Sequence, residues 1–536
     1  MADSSSTLWG IIALALIGYL LHKLSSQKAR RMLPPGPKPV PILGNINDFP
    51  PDGMAEYQHW IKHKDLYGGL SFVAVLGMTF VIVHDKKAAH ELLDRIASKT
   101  SGRPTMIMAN KLCGYGSTLA CRGYDPGFRR SRKYLHQMIG TKTSSAKFRH
   151  FQEIEVKRQL IRALSEPEKW LDYYKTTAAA TVLSMAYGYT IEPHKPDALV
   201  GLVEKMMVGF SLATVPMSWA VDIFPPLQYL PEKFPGATFQ KTARKWRNLI
   251  QSAAYVPYRF VRRQMATHNH RQSYISGLVE ALKQDENGKI SSEDEEAIVW
   301  SAVSLYGAAS DTTAITLTAF TLAMIKFEHV QRKAQEEIDR VVGTDRLPAF
   351  EDRENLPYID ALVKEATRWW PVVPMGFPHT VTEDLEFNGF FIPKGASVIP
   401  SIWWFLHDPE VYADPESFDP DRFLPPRNEP DPYTEVFGYG RRICPGRFFA
   451  DSSLYLNMAQ TLAAFNITKA VGKDGKEIGV DHVMPKPGIL THLTEFKFQV
   501  KPRSEKHADL IRQAEQQHPW EASDAGLLDS VEDIEV

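Results

Sequence analysis

The chain has 536 residues, 44% of them hydrophobic, and its 62 Lys and Arg against 63 Asp and Glu leave a formal charge of -1. That balance holds no basic surplus to attract nucleic acid, and the length is ample for a large buried core. Three cysteines, Cys113, Cys121 and Cys444, exclude a disulfide framework in so long a chain and point to a reducing compartment.

The first element is an apolar run from Leu8 to Leu21, extended by Leu24 and the stem of Lys23. It is short of the usual ~20 residues of a span, so a buried helix or a cleaved signal competes with an anchor. The leading MADSSST has no Lys or Arg, whereas Lys23, Lys28, Arg30 and Arg31 follow the run, which favours an uncleaved anchor. The expected organisation is a lumenal stub over 1–7, a transmembrane anchor over 8–24 and a basic, proline-rich hinge over 25–41. The body follows over 42–503 on the cytosolic side. In the hinge, Leu33 to Pro41 is stiff because proline fixes φ and removes donors.

Strand-like runs lie at Leu70–Val75, Phe80–His84, Phe387–Ile392 and Phe496–Lys501, among longer helical patterns. The clearest helix starts near Ser292, which has capping-box spacing to Glu295. Acidic residues 293–296 suit its positive end. An almost uncharged stretch runs from Ala297 to Ile325, about 30 residues or roughly 45 Å of helix, apolar all round and therefore buried. Asp311 is its one formal charge, in the polar turn Ala308-Ala-Ser-Asp-Thr-Thr313. The plain reading of that turn is Thr312 bonded back to a helix carbonyl. The functional one is a proton relay. A second helix is bounded by Pro357 and Pro371, with Glu365 and Arg368 on one face. The fold class is mainly α with small β-sheets. The tail over 504–536 is expected to be poorly ordered, since the last 16 residues carry six acidic side chains and no Lys or Arg.

The decisive segment is Phe437-Gly-Tyr-Gly-Arg-Arg-Ile-Cys-Pro-Gly446. Glycines at 438, 440 and 446 allow tight turns and let amide N–H groups face the Cys444 sulfur. Arg441 and Arg442 add positive charge beside it, which favours the thiolate. A lone cysteine would read as a structural thiol; this string does not.

The segment resembles the Phe-x-x-Gly-x-Arg-x-Cys-x-Gly haem-binding signature of the cytochrome P450 superfamily, at every fixed position. The resemblance extends from about Leu33 to about residue 503 and is strongest to fungal microsomal enzymes of secondary metabolism. It implies haem b with Cys444 as axial metal ligand, in a loop shaped by Phe437 and Gly438. It also implies a P450 fold with the long buried helix over the haem. Arg442, Arg132 (in Phe128-Arg-Arg-Ser-Arg132, with Phe where the family has Trp) and His379 are the implied propionate partners. Glu365, Arg368 and Arg422, the last in Pro420-Asp-Arg-Phe423, are the implied structural cluster. Asp311 and Thr312 are the implied proton relay, with Ala309 where the family usually has glycine. No dinucleotide fingerprint or flavin domain is present, so the implied electron source is a separate NADPH-dependent reductase in the same membrane, the endoplasmic reticulum. Arg129, Arg130 and Lys133 read either as a solvated face or as a docking patch for that partner.

The expected function is insertion of one oxygen atom from O2 into a neutral, lipophilic molecule, a terpenoid first. Four segments are implied to line its pocket: around Met106 and Met108, Met206 to Trp219, Pro371 to Pro378, and Pro487 to Leu490. Rival readings are a monooxygenase of aromatic, polyketide or indole substrates, a reductase-independent haem-thiolate isomerase or dehydratase, and a non-catalytic haem sensor.

Overall fold

The computed structural model describes residues 32–51, 53–216, 218–285 and 289–528. The expected lumenal stub, the anchor and the basic first part of the hinge, 25–31, lie outside these residues, as do Met217 of the expected pocket and positions 529–536. The fold is mostly helical with small sheets, as the composition of the patterns implied.

One four-stranded sheet is built from β1 (Leu70–Val75), β2 (Met78–Val83), β3 (His379–Thr380) and β6 (Ser397–Pro400), in the order β1-β2-β6-β3. β2 and β6 are parallel, and β3 runs antiparallel to β6 with His379 opposite Val398. The run expected as one strand over Phe387–Ile392 is instead a hairpin, β4 (Leu385–Phe387) and β5 (Phe390–Ile392). Asn388 and Gly389, at φ 50° and 78°, make the two-residue turn, whose geometry that dipeptide favours. β7 (Phe465–Lys469) and β8 (Phe498–Pro502) form a third, two-stranded sheet.

The helices that position the site are α1 (Pro126–Ile139), α2 (Arg149–Ser165), α3 (Trp170–Tyr187), α4 (Ala198–Ala213) and α5 (Thr238–Ala266). They are followed by α6 (Ser292–Lys326), α7 (Glu328–Val341), α8 (Pro357–Trp369), α9 (Arg447–Ala464) and α10 (Glu505–Gln517). α6 is the expected buried helix, and it crosses the middle of the body against α1, α3 and α9. Length and hydropathy alone would let it cross a membrane, but its apolar side chains are buried inside the protein. Its cap is Ser291, one residue before the expected Ser292: the Ser291 hydroxyl accepts from the Asp294 amide. Asp294 is then buried, bonded to Tyr134 and paired with Arg130 of α1, so it is a packing contact rather than a solvated first-turn charge. The start of α8 is held from outside: the Glu337 carboxylate of α7 accepts from the Tyr358 and Ile359 amides at 3.1 and 3.0 Å.

The tail departs from expectation. α10 buries Ala508, Ile511 and Ala514 and packs on α2. Beyond it, Asp524 accepts from the Thr190 amide at 2.8 Å and pairs with Arg271, and Glu521 pairs with Arg158. The acidic side chains that read as solvated have cationic partners more than 250 residues away, and sequence proximity carries no sign of them.

Candidate active site around Cys444

Cys444 sits where a loop hands over to α9. Its amide donates to the Phe437 carbonyl at 2.8 Å, which closes the turn. Gly438 and Gly440 have φ of 72° and 49°, a region costly for any side chain. At Gly440 a Cβ would also come within 2.3 Å of the Leu93 carbonyl oxygen, so only glycine lets the loop close on that segment. Glu435, fully buried, ties the loop down: it accepts from the Tyr439 hydroxyl and faces Lys86 and His90, each at 3.0 Å. Phe437 packs edge-on against Tyr433.

Burial raises the Cys444 thiol, opposed by the Gly446 amide and by Arg132 and Arg447. The cations acting on the sulfur are therefore not the expected Arg441 and Arg442. Arg441 lies over the Tyr124 ring, 5.1 Å from its centre, and Arg442 stacks on Phe128 at 3.9 Å. The neighbour in sequence points away, while Arg132, from α1, reaches in and donates to the Ile443 carbonyl at 2.8 Å.

Four cationic or potentially cationic groups nonetheless converge on one side of this loop. Arg442 donates to the carbonyls of Ser101, Leu119 and Arg122. Burial and the nearby Arg103 and Arg132 lower it to about 9. Arg103, absent from the sequence reading, donates to Ala120, Phe377 and Pro378 carbonyls and is lowered to about 10 by burial. Its only signal in the chain is one arginine before Pro104 in an otherwise uncharged stretch. His379, held by the sheet, is buried and its Nδ1 bonds the Thr100 carbonyl at 2.9 Å. Desolvation, then Arg103 and Arg442, drive its pKa well below the usual histidine range. Buried like charges repel, so this set is costly unless an anion joins it. Its chemistry suits a group carrying two carboxylates, as haem does, beside a thiol able to ligate iron.

Glu365, Arg368 and Arg422 form one buried cluster. Arg368 grips Glu365 through Nε and Nη2 at 2.7 and 2.9 Å, and Arg422 Nε reaches the same carboxylate at 3.0 Å, all with no exposed surface. Glu429 is a fourth member, 2.7 Å from Arg422. The remaining donors go to backbone carbonyls of 406–417, so the ion cluster also fastens the chain that leads to Cys444.

α6 continues without interruption through the polar turn 308–313. The Thr312 hydroxyl donates to the Ala308 carbonyl at 2.7 Å, the plain alternative of the sequence reading, which leaves its oxygen able to accept. Asp311 turns elsewhere: its carboxylate lies 3.3 Å from His492 Nε2. The two groups expected to act in series are thus not bonded to each other.

The four pocket segments meet in one apolar cluster. Met108, Met206, Met207, Phe210 and Leu490 are buried there, with Met106, Trp219, Val372, Val373, Phe377 and Ile489 against them. Met375 belongs instead to a neighbouring cluster with Tyr57 and Trp60. α4 approaches α6 closely at Gly307, where a Cβ would lie 2.8 Å from Met206 Cε and 2.9 Å from Met207 Sδ.

Comparison with known proteins agrees with this geometry. The family described as Cytochrome P450 matches residues 34–493. The chain is similar to the cytochrome P450 monooxygenase CLM2 of Gibberella zeae, 46% identical over 520 residues, 97% of this chain and 98% of the relative. It is 47% identical over 517 residues to the multifunctional cytochrome P450 monooxygenase af510 of Aspergillus fumigatus, 96% of each. It is also similar to the O-methylsterigmatocystin oxidoreductase of Aspergillus flavus, 38% identical over 520 residues, again 96% of each.

Proposed function

From the premise that this chain belongs to the cytochrome P450 family and is a monooxygenase, we propose that Cys444 would hold the haem iron as a thiolate and that the protein oxygenates a neutral, lipophilic secondary metabolite. The carrying observation is the Cys444 loop with the buried Arg442 and His379 and the half-buried Arg103 and Arg132 beside it. Bound there, the haem supplies the activation of O2 that no side chain can perform.

The chain's own residues do the rest. Arg103, Arg132 and Arg442 would neutralise the haem propionates. His379 joins them by taking up a proton at Nε2, since its Nδ1–H is already given to Thr100. The Gly446 amide and Arg132 stabilise negative charge on the sulfur. Thr312 accepts a proton-bearing partner at Oγ1 while donating to Ala308, and Asp311 passes protons inward from the His492 side. The methionine-rich cluster holds an apolar substrate against α6 and adapts to its shape. A sesqui-, di- or triterpenoid suits it first. A polyketide-derived substrate is the second reading, favoured by the likeness to an O-methylsterigmatocystin oxidoreductase. An isomerase would have no use for Asp311 and Thr312.

The electron donor in this reading is a separate NADPH-dependent reductase, approaching the exposed Arg129, Lys133 and Arg441 on the Cys444 side. The membrane is the endoplasmic reticulum, with the anchor over 8–24 and the body in the cytosol. Exposed Phe224, Tyr229 and Phe234 give the body further apolar surface for it.

Cys444→Ser is the direct test. The reduced, CO-treated parent is expected to show the thiolate-type band and, with reductase, to consume NADPH with a terpenoid panel. The variant is expected to lose both. Retention of the thiolate-type band in the variant would remove Cys444 as the ligand.

A further inference from the structure

A narrow cleft lies beside the apolar cluster, between the short helix Glu56–Trp60 and the turn at Gly488–Thr491. Pro374, Met375, Gly376 and Pro378 also line it, so it shares walls with the segments assigned above to the substrate. None of its lining comes from the Cys444 loop or from α6. The space open to water is about 20 Å³, room for a hydroxyl or one to two waters and too little for a ring.

One charged side chain lines this cleft: Glu56. Ala55 and Tyr57 on either side of it are buried, and Glu56 itself is partly buried. Among the described residues its carboxyl makes no ion pair and no hydrogen bond, and no cation faces it. Burial alone pushes it up to about 7. A partly buried carboxyl without a protein partner gives up part of its hydration, a cost that an apolar side chain walling the same cleft would not carry. The other side chains there with a polar group are Tyr57 and Thr491; Tyr57 stacks on Trp403, and Thr491 is held by its backbone to Val372 and to the Trp370 indole N–H.

We propose that the Glu56 carboxyl is a specificity-determining group that hydrogen-bonds a hydroxyl carried by the substrate away from the carbon that reacts. The inference rests on the reading of a lipophilic pocket in the Proposed function and adds to it that the preferred molecule already bears oxygen. Three observations favour a hydroxyl over an ammonium. The cleft has the size of a hydroxyl. A carboxyl neutral for about half the time near pH 7 both donates and accepts, as a hydroxyl does. No second carboxylate is present in the cleft to share a positive charge.

The test is an optical titration of the full-length haem protein with matched probes: β-farnesene, farnesol and farnesylamine, and α-cedrene with cedrol. The parent is expected to bind each alcohol about ten-fold more tightly than its hydrocarbon, the worth of one such hydrogen bond. Glu56→Leu is expected to shrink the preference to within about two-fold while the hydrocarbons bind as before. Glu56→Gln, which keeps a carbonyl acceptor, is expected to retain most of it. An unchanged thiolate-type CO band in both variants shows that the fold and haem are intact. The inference is overturned if alcohols bind no better than hydrocarbons to the parent, or if Glu56→Leu keeps the preference. It is also overturned if farnesylamine binds best and loses that advantage in Glu56→Gln, which would make this an ammonium site. If no probe of any kind binds, the lipophilic pocket itself fails, an outcome distinct from a lost hydroxyl preference with the hydrocarbons still bound.

Discussion

His492 Nε2 lies 3.3 Å from the Asp311 carboxylate, joining the turn after Pro487 to the middle of α6. Asp311 is largely buried and His492 is on the solvent side, at 14% and 37% side-chain exposure, so the pair spans the boundary that the proposed relay would carry protons across. It holds the carboxylate away from Thr312 in the structure. Asp311→Asn is expected to lower product formation about 100-fold, the scale of a lost general acid. His492→Ala is expected to lower it by no more than about five-fold, because a half-exposed pair contributes at most about 1 kcal/mol. Steady-state turnover with reductase decides this. Equal losses in the two variants would make His492 a member of the relay itself.

Thr312→Ala is expected to keep haem and NADPH consumption but to divert electrons to peroxide or water. Thr312→Ser, which keeps the hydroxyl that now donates to Ala308, is expected to retain most of the coupling. Product formed per NADPH, with peroxide measured alongside, checks both. Unchanged coupling in the alanine variant would assign proton supply to another group.

Arg422→Met leaves Glu365 short of one partner and Glu429 without the buried guanidinium. Removing one member of a buried ion cluster costs about 3 to 5 kcal/mol. The expected result is protein with a lowered Tm and little bound haem, since the same guanidinium fastens the chain at 413–417 ahead of Cys444. Haem content per chain and thermal unfolding read this out.

Gly307→Ala places a methyl against the mobile ends of Met206 and Met207. Those ends can swing aside, and alanine in a helix is better than glycine by about 1 kcal/mol, so Tm is expected to hold or rise. The displaced methionines then narrow the pocket. Optical titration is expected to show weaker binding of bulky polycyclic terpenoids than of linear ones.

Deleting residues 504–536 is expected to destabilise the body, although these residues lie far from Cys444 in sequence. Ile511 alone contributes about 2 kcal/mol by burial. Arg158, buried beneath Glu521, loses that partner. A lower Tm with an intact CO spectrum is the expected pair of measurements. An unchanged Tm would return the tail to the solvated reading.

The sequence by itself determined the mainly helical class, the buried α6 and the Cys444 loop. Each of these is written locally: a run of some 30 residues with Asp311 as its one charge admits no exposed helix, and glycines at 438 and 440 mark a backbone that other residues resist. Spacing also set Glu365 and Arg368 on one face of α8. Tertiary structure decided which charges meet. Arg441 and Arg442 are beside Cys444 in the chain, yet Arg132 and Arg447 are the cations that act on its sulfur. Arg103 joins His379 across 276 positions, Asp311 finds His492, and the acidic tail finds Arg158 and Arg271. Glu56 becomes notable only because its surroundings hold no partner among the described residues. Local backbone preference and apolar periodicity act between near neighbours, so the order of residues records them. Desolvation and pairing of charge depend on distance through space, which exists only once the chain has closed on itself.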